Sequence, residues 1–513
     1  MNVQNLIFDF ANISHHLLNQ GKFYINGVWI FFNPNINPKM KDKLFSDFPV
    51  TTKQDWINQA IQELKGKDFE KTLVTKTREG FSLDPFYTPE DFKSHEWTKK
   101  YQNQVNPKPE IPGISPRVWS NVVRIDVVDE KSANIEILEV LQHGADGLLL
   151  VLEGNENMDV LLQNVLPQYI QVFLCPKNNP DQALSAFFDW ANDNGFEKKE
   201  IHGGLLWDGF AQALNASNDK ESILDIVENL LELGLPFTRF KVFSLNSAIY
   251  HDAGGSAVQE MAFCISAFIE LMDGLTERGR NPQEIFQKLL VECSVGSDYF
   301  MEIAKVRTLR VLIHQLAALY QVNLAPESIF IFANTSFWTK TTQDVQSNIL
   351  RNTTEAMAAI LGGSNALHVL AHDVALGAPN EFSKRMARNV SSILKEESYL
   401  DKVLDPVSGS YYLASLMSSL FYKAKDKIEL LEQKGGWWMA YQNLTLQKEI
   451  KAMRSERMLA LVTKEETKIG VNKYVNREDS DAVPGINRMP EDENQLKSTR
   501  QSLLAENKNQ NQG

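Results

Sequence analysis

From residue 120 onward, apolar and polar positions fall into a repeating rhythm. Short apolar or β-branched runs of strand length alternate with longer stretches of helical periodicity. The runs are VVRIDVV (122–128), GLLLVL (147–152), IQVFLC (170–175), GGLLWD (203–208), RFKVFSL (239–245), LLVECSV (289–295), IFIFAN (329–334) and HVLAHD (368–373). Runs this uniformly apolar predict strands of a parallel sheet whose faces are covered. Eight strand–helix units over residues 120–400 predict an α/β chain with a closed (β/α)8 TIM barrel. A doubly wound open sheet uses the same alternation and is the rival architecture. In TLRVLIHQLAALY, Leu309, Leu312, Ile313, Leu316, Leu319 and Tyr320 recur at spacings of three and four, giving one apolar stripe. Arg307, Arg310 and Gln315 are assigned to that helix's outer face.

Outside the barrel the pattern changes. Residues 52–119 begin with a polar cap and a short amphipathic helix, then become aromatic-rich extended chain with Pro85 and Pro89, which reads as an arm laid over another surface. Residues 401–475 hold two predicted helices, 409–433 and 437–462, separated by Gly435-Gly436 and completing the barrel domain. Residues 476–513 are polar, poor in aromatics and read as a disordered tail with one weak helix. Residues 1–51 read as an extension, and Met40 offers an alternative start.

Composition narrows the function. The 52 Lys+Arg against 65 Asp+Glu leave a charge of -13, and no dense basic block interleaved with aromatics marks a nucleic-acid surface. Cys175, Cys264 and Cys293 are too few and too scattered for a disulfide framework or a Cys-x-x-Cys metal site, which points to a reducing compartment, the cytoplasm. The N-terminal stretch lacks the basic region of a signal peptide, and no run approaches the roughly 18 apolar residues of a membrane span.

A parallel barrel carries its site at the C-terminal ends of its strands. Those ends bring Asp126, Glu153, Asp208, Asn246 to Asp252, Ser294 to Asp298, Asn334 to Lys340 and His372-Asp373. His251-Asp252 and His372-Asp373 are acid/base material, although adjacent loop residues more often cap a helix than converge as a dyad. No His-x-x-x-His pair, activated cysteine, P-loop or G-x-G-x-x-G fingerprint accompanies them. Gly362-Gly363 reads as a helix terminus.

Four strings then fall into one pattern: SVGSDYFMEIAKVRTLR (294–310), TSFWTKTTQDVQSNILRNTTEAMAAILGGSNALHVLAHDVALG (335–377), RMARNVSSILKEESYLDKVLDPVSGSYYL (385–413) and IGVNKY (469–474). Together they resemble the methylmalonyl-CoA mutase family over most of residues 52–475. The resemblance implies a (β/α)8 barrel threading an acyl-CoA through its axis, a cobalamin domain capping it, and a radical rearrangement interconverting succinyl-CoA and methylmalonyl-CoA. In the common bacterial form a large catalytic subunit pairs with a homologous small one.

The family's catalytic chain ends its fifth strand in Ser-Gly-Tyr-His, followed by two residues and Glu-Ala-Gly. Aligning on DAGGSAVQEMAF (252–263) puts Ser247 at the Gly, Ala248 at the Tyr and Ile249 at the His. Tyr250 and His251 lie two residues later, about 6–7 Å of extended chain, beyond the reach of a group that must hydrogen-bond substrate. At strand four Gly204 and Leu206 stand for a Thr and a Gln, and at strand seven Phe332 stands for a His. PGISPRVW (112–119) lacks the Thr-Arg-Gly that helps seat CoA. No Asp-x-His-x-x-Gly cobalamin signature occurs, and nothing after residue 475 would fold as its domain.

The resemblance therefore implies the small, non-catalytic subunit of a heterodimer. No catalytic, metal-binding or cofactor-binding residue is expected, and Asp208, His251, Asp252, Thr335 and Ser336 are candidates for a vestigial pocket. Adenosylcobalamin and acyl-CoA would be bound by the large-subunit partner. The alternative is an active acyl-CoA mutase barrel served by a separate cobalamin-binding chain, which needs His251 to point down the axis. An unrelated hydrolase built on His251-Asp252 lacks a nucleophile.

Overall fold

Eight parallel strands pair side by side until the last returns to the first: β1 (Ser120–Asp126), β2 (Gly147–Leu152), β3 (Gln171–Pro176), β4 (Gly203–Leu205), β5 (Phe240–Lys241 and Phe243–Asn246), β6 (Leu289–Val295), β7 (Phe330–Thr335) and β8 (Ala366–His368). This computed structural model describes residues 22–25, 28–31, 51–92, 96–101, 105–107, 115–216, 219–475 and 491–510; expectations for the remaining residues of 1–51, for 476–490 and for the first half of PGISPRVW lie outside the described residues. β8 pairs with β1 from Ala366↔Ser120 to His368↔Val122, which excludes the open sheet. β5 breaks at Val242. Its first part pairs with β4 and its second with β6, and the Ser244 N–H donates to Trp207 O (2.9 Å) across the break.

Seven of the eight apolar runs coincide with strands. The eighth is displaced: only His368 of HVLAHD lies in β8, which starts at Ala366. Beyond His368 the ladder cannot continue, because the Leu370 N–H is taken by the Thr335 hydroxyl (2.8 Å).

The helices of the outer layer are α1 (Glu130–Gln142), α2 (Met158–Leu161), α3 (Pro180–Asp193), α4 (Lys220–Gly234), α5 (Ala257–Glu277), α6 (Tyr299–Leu319), α7 (Ser347–Gly362) and α8 (Glu381–Glu396). Their starts follow capping rules: Asp129, Asp219 and Asn380 each accept a first-turn N–H, and Ser256 forms a capping box with Gln259. α7 ends at Gly363 (φ 93°), where a Cβ would collide with the Val105 carbonyl, so glycine is required there.

Arg307 and Arg310 correct the reading of α6, since neither faces solvent: they are 3% and 0% exposed. α6 is flanked by α5, α7 and α9 (Tyr411–Gln433), so its outer face narrows to its last turns, where Gln315 is exposed as expected, while Leu319, placed in the apolar stripe, is 80% exposed. Arg310 donates to Pro326 O (3.1 Å), Gly363 O (2.7 Å) and Asn365 Oδ1 (3.1 Å), and Arg307 pairs with Asp405 (2.6 Å). Each guanidinium thus satisfies chain ends that would otherwise be buried unpaired.

After α9 come α10 (Gly436–Gln442) and α11 (Thr445–Val462). The single helix predicted over 437–462 is broken at Leu444, which is left-handed (φ 58°). Residues 491–510, placed by their polarity in an unstructured tail, are ordered: Leu496 is fully buried and its N–H donates to Leu214 O (2.9 Å).

The chain divides into Met1–Thr72 and Leu73–Gly513. The first unit holds an antiparallel pair, Lys22–Ile25 with Val28–Phe31, and the helix Lys53–Glu63, capped by Thr52 with Asp55. In the second, the arm begins as a two-stranded turn, Thr75–Lys76 with Ser82–Leu83. Its Glu79 accepts the Ala257 and Val258 N–H groups (2.9 and 2.8 Å) at the start of α5, so this part of the arm lies on its own barrel.

Candidate functional site

Alternation along the strands sends Val123, Ile125, Leu148, Leu150, Val172 and Leu174 toward the helices. The intervening positions meet on the barrel axis, where Val122, Leu149, Phe173, Leu206, Leu290, Phe332 and Ala366 form one apolar cluster. Phe173 and Phe332 cross edge to face with centroids 4.8 Å apart and are fully excluded from solvent. Gly204 makes room for this plug, because a Cβ there would collide with Leu290. Leu206 and Phe332 lie inside the plug, and Gly204 borders it.

A polar layer sits on the plug at the C-terminal end. His368 Nδ1 donates to Asn334 Oδ1 (2.9 Å), and Asn334 Nδ2 donates to Glu292 Oε1 (3.0 Å). Burial, aided by the nearby Arg124 charge, pushes His368 down to about 3. Burial pushes Glu292 up to about 7, although the Asn334 bond opposes it. Cys175 is pushed up to about 12, first by burial and then by Glu292, so it carries no thiolate at neutral pH. Sequence reasoning passed over Glu292 and His368. Period-two alternation in LLVECSV, which turns Glu292 inward with Leu290 and Ser294, was the available signal.

The five pocket candidates separate into two groups. Asp208 caps the helix Gly209–Ala213, accepting from Phe210 N (2.9 Å) and Ala211 N (3.1 Å), and its other oxygen accepts from Asn246 N (2.7 Å). Burial raises its pKa. Thr335 is used by the Leu370 N–H. Neither is presented to a ligand.

His251, Asp252 and Ser336 do converge. His251 Nε2 is 2.9 Å from the Ser336 hydroxyl, and Nδ1 is 3.3 Å from Glu260 Oε2. The Ser336 hydroxyl donates to Asp252 Oδ1 (3.3 Å), and Ser294 donates to Asp252 Oδ2 (3.0 Å). Ser–His–Glu contact of this kind is the constellation of a nucleophilic hydrolase. Here Ser336 is 0% exposed, so no substrate carbonyl can approach it. Glu260 is held by Lys305 Nζ (2.7 Å), which also binds Glu302 (2.6 Å) and Ser294 O (2.6 Å). Burial alone would depress Lys305, but Glu260 and Glu302 together raise it, so it stays charged. Burial and that ammonium push His251 down to about 4, leaving it neutral.

Tyr250 points elsewhere. Its hydroxyl accepts from Trp437 Nε1 (2.8 Å) and its ring lies edge-on to Phe263 of α5. Ala248 and Ile249 open the short helix Ala248–Asp252, directly after β5. The second acid/base pair does not join the cluster: Asp373 accepts from Asn380 Nδ2 (3.0 Å), and His372 lies against Phe382.

Cobalamin held through a protein imidazole, as the resemblance implies, needs a histidine whose nitrogen is offered outward. Among the described residues at this end of the barrel, His251, His368 and His372 are all buried, and the first two are engaged by side chains. These residues do not fit a lower axial ligand. Among the described residues no group of three or more His, Cys, Asp or Glu could hold a metal ion, and no helix is long and apolar enough to cross a membrane.

Fold and site together define a (β/α)8 barrel whose axis is filled with side chains beneath a polar cap. Residues 142–512 match the methylmalonyl-CoA mutase family profile. The chain is 32% identical over 450 residues to the methylmalonyl-CoA mutase small subunit of Porphyromonas gingivalis, covering 85% of this chain and 72% of that one. It is 27% identical over 472 residues to the small subunit of Streptomyces virginiae, covering 88% and 76%, and 27% identical over 485 residues to the methylmalonyl-CoA mutase of Escherichia coli, covering 85% and 66%. The chain belongs to the methylmalonyl-CoA mutase family.

Proposed function

We propose that this chain is the small, non-catalytic subunit of a heterodimeric methylmalonyl-CoA mutase, working in the cytoplasm. The large subunit binds adenosylcobalamin and acyl-CoA and carries out the isomerisation, and this chain stabilises and orients it. The observation that carries the reading is the apolar plug. An acyl-CoA threaded along the axis would have to displace Phe173 and Phe332 and desolvate its own polar groups against Leu206 and Leu290, with no donor in that layer to receive them. The positions of the family's Tyr and His support it, because alanine and isoleucine can exchange no proton.

A catalytic barrel served by a separate cobalamin chain needs His251 to point down the axis. His251 instead lies among Glu260 of α5, Lys305 of α6 and Ser336, on the helix side of the barrel wall. The experiment is to titrate the purified chain with adenosylcobalamin and methylmalonyl-CoA, alone and with the large subunit. Turnover is expected only with both chains present. Turnover by this chain alone, or saturable binding of both compounds to it, refutes the assignment.

A further inference from the structure

A second cavity lies away from the axis, between the arm's hairpin, the first turns of α5, α6 and α7, and the segment that follows α11. Its volume is about 920 Å³, within the range that holds a small metabolite. Its mouth is marked by Leu350 and Ile469, 70% and 45% exposed.

Five acids, Glu79, Asp298, Glu302, Glu456 and Glu466, face five cations, Lys76, Arg78, Arg351, Arg457 and Lys468, on its walls, but they are not paired one to one. Most of the acids are already committed. Glu79 caps α5, Glu302 binds Lys305, and Glu456 and Glu466 both bind Arg78. Asp298 accepts a backbone N–H in the first turn of α6. Among the cations, Arg457 donates to Gly255 O (2.7 Å) and faces Glu466, Glu79 and Glu302.

Arg351 and Lys468 are different, since both have only neutral hydrogen-bond partners. Arg351 donates to Thr341 Oγ1 (2.9 Å), Asn348 Oδ1 (2.7 Å) and Ile469 O (2.7 Å). Lys468 is 7% exposed, and its ammonium reaches only Gln501 Oε1 (3.3 Å). Of the acids acting on Arg351, Glu355 is tied to Lys340 and Glu506 to Arg500, leaving Asp344, which accepts the Ser347 hydroxyl (2.5 Å), as partial balance. A buried ammonium without a counter-ion is costly, and a bound anion removes that cost. Burial and the adjacent Arg351 push Lys468 down to about 7, against the opposing pull of Glu355.

We propose that Arg351 and Lys468 form a binding site in this cavity for a phosphate dianion, free or as the terminal group of a small monoester. Two cations on one wall match the charge of the dianion, and the guanidinium and ammonium supply the donors that its oxygens need. The site is independent of the subunit assignment, because it uses neither the axis nor a partner chain.

Calorimetric titration of the full chain with inorganic phosphate and with glycerol 3-phosphate, at constant ionic strength, tests it. At least one probe is expected to bind saturably at a single site, and which of them binds tighter distinguishes the free ion from the ester. Lys468→Met and Arg351→Gln are each expected to weaken that binding about tenfold or more. Lys468→Met should melt no lower than the parent, since it deletes an uncompensated buried charge. Should it unfold, pyridoxal 5′-phosphate labelling of the parent substitutes: its aldehyde condenses with the neutral amine, water leaves, and borohydride fixes the imine. Lys468 should then be the modified residue, protected by the tighter-binding anion. No saturable binding of either probe, unchanged affinity in the variants, or labelling that neither anion slows overturns the proposal.

Discussion

Cutting the plug at Phe332 tests whether the barrel axis is packed solid. Phe332→Ala removes a fully buried ring that meets Phe173 at 4.8 Å and touches a cluster closed on all sides by Val122, Leu149, Leu206, Leu290 and Ala366. The strands that carry these neighbours are locked in a closed ladder, so the walls cannot collapse into the void. The loss should therefore sit at the upper part of the range for buried Phe→Ala, about 4 kcal/mol, of which about 1 kcal/mol is the aromatic pair. The void is apolar and should stay dry. Urea unfolding followed through the buried tryptophans Trp207, Trp338 and Trp437 measures the loss. Phe173→Ala in the same background should then cost less than it does alone, because the edge-to-face contact is already gone. A loss below about 1 kcal/mol, or strict additivity of the two changes, would show that the axis is loosely filled, and the reasoning from plug to supporting role would fail with it.

Three further outcomes follow from the network beside the barrel. Lys305→Met should destabilise the chain by about 3–5 kcal/mol, since Glu260 and Glu302 would keep buried charges without a partner; a near-neutral effect in the same urea assay contradicts the ion-pair account. His251 and His368 are held near 4 and 3, below an unfolded value of about 6.5, so the unfolded chain takes up protons first as pH falls. Their contribution is complete above about pH 6.5 and is lost progressively toward pH 4, at up to about 1.4 kcal/mol per unit for each histidine; His368→Asn should visibly flatten the slope of the urea midpoint between pH 7 and 5. A fluorophosphonate should leave Ser336 unmodified in the folded chain, because the hydroxyl is sealed from solvent, and mass-spectrometric detection of the adduct would revive the hydrolase reading.

The strands of this barrel were legible because a buried parallel strand is apolar on both faces, and that composition survives in any context. β8 was misplaced for the converse reason. Its start depends on Asn365, whose N–H donates to Ile331 O and whose side chain Arg310 holds, and its end depends on Thr335 capturing the Leu370 N–H; none of these bonds is local in sequence. Arg307 and Arg310 were assigned to solvent because a guanidinium on a helix ordinarily belongs there. Only the packing of α9 over α6 made that face an interior one. His251 and Ser336 were both singled out, yet their contact across 85 positions, and the Glu260–Lys305 pair that completes it, appear only when α5 and α6 pack side by side.

By itself, the amino-acid sequence determined the strand–helix alternation, the position of seven of the eight strands, and the polar cap that starts the helix Lys53–Glu63. Each of these depends on residue type and on spacing within one element, where local physics dominates. The tertiary structure alone decided that Phe173 from β3 and Phe332 from β7 meet across the axis, that Gly204 makes room for Leu290, and that Arg351 lies beside Lys468. Those outcomes depend on which side chains the closed sheet brings within a few ångströms of one another, and sequence spacing carries no record of that distance.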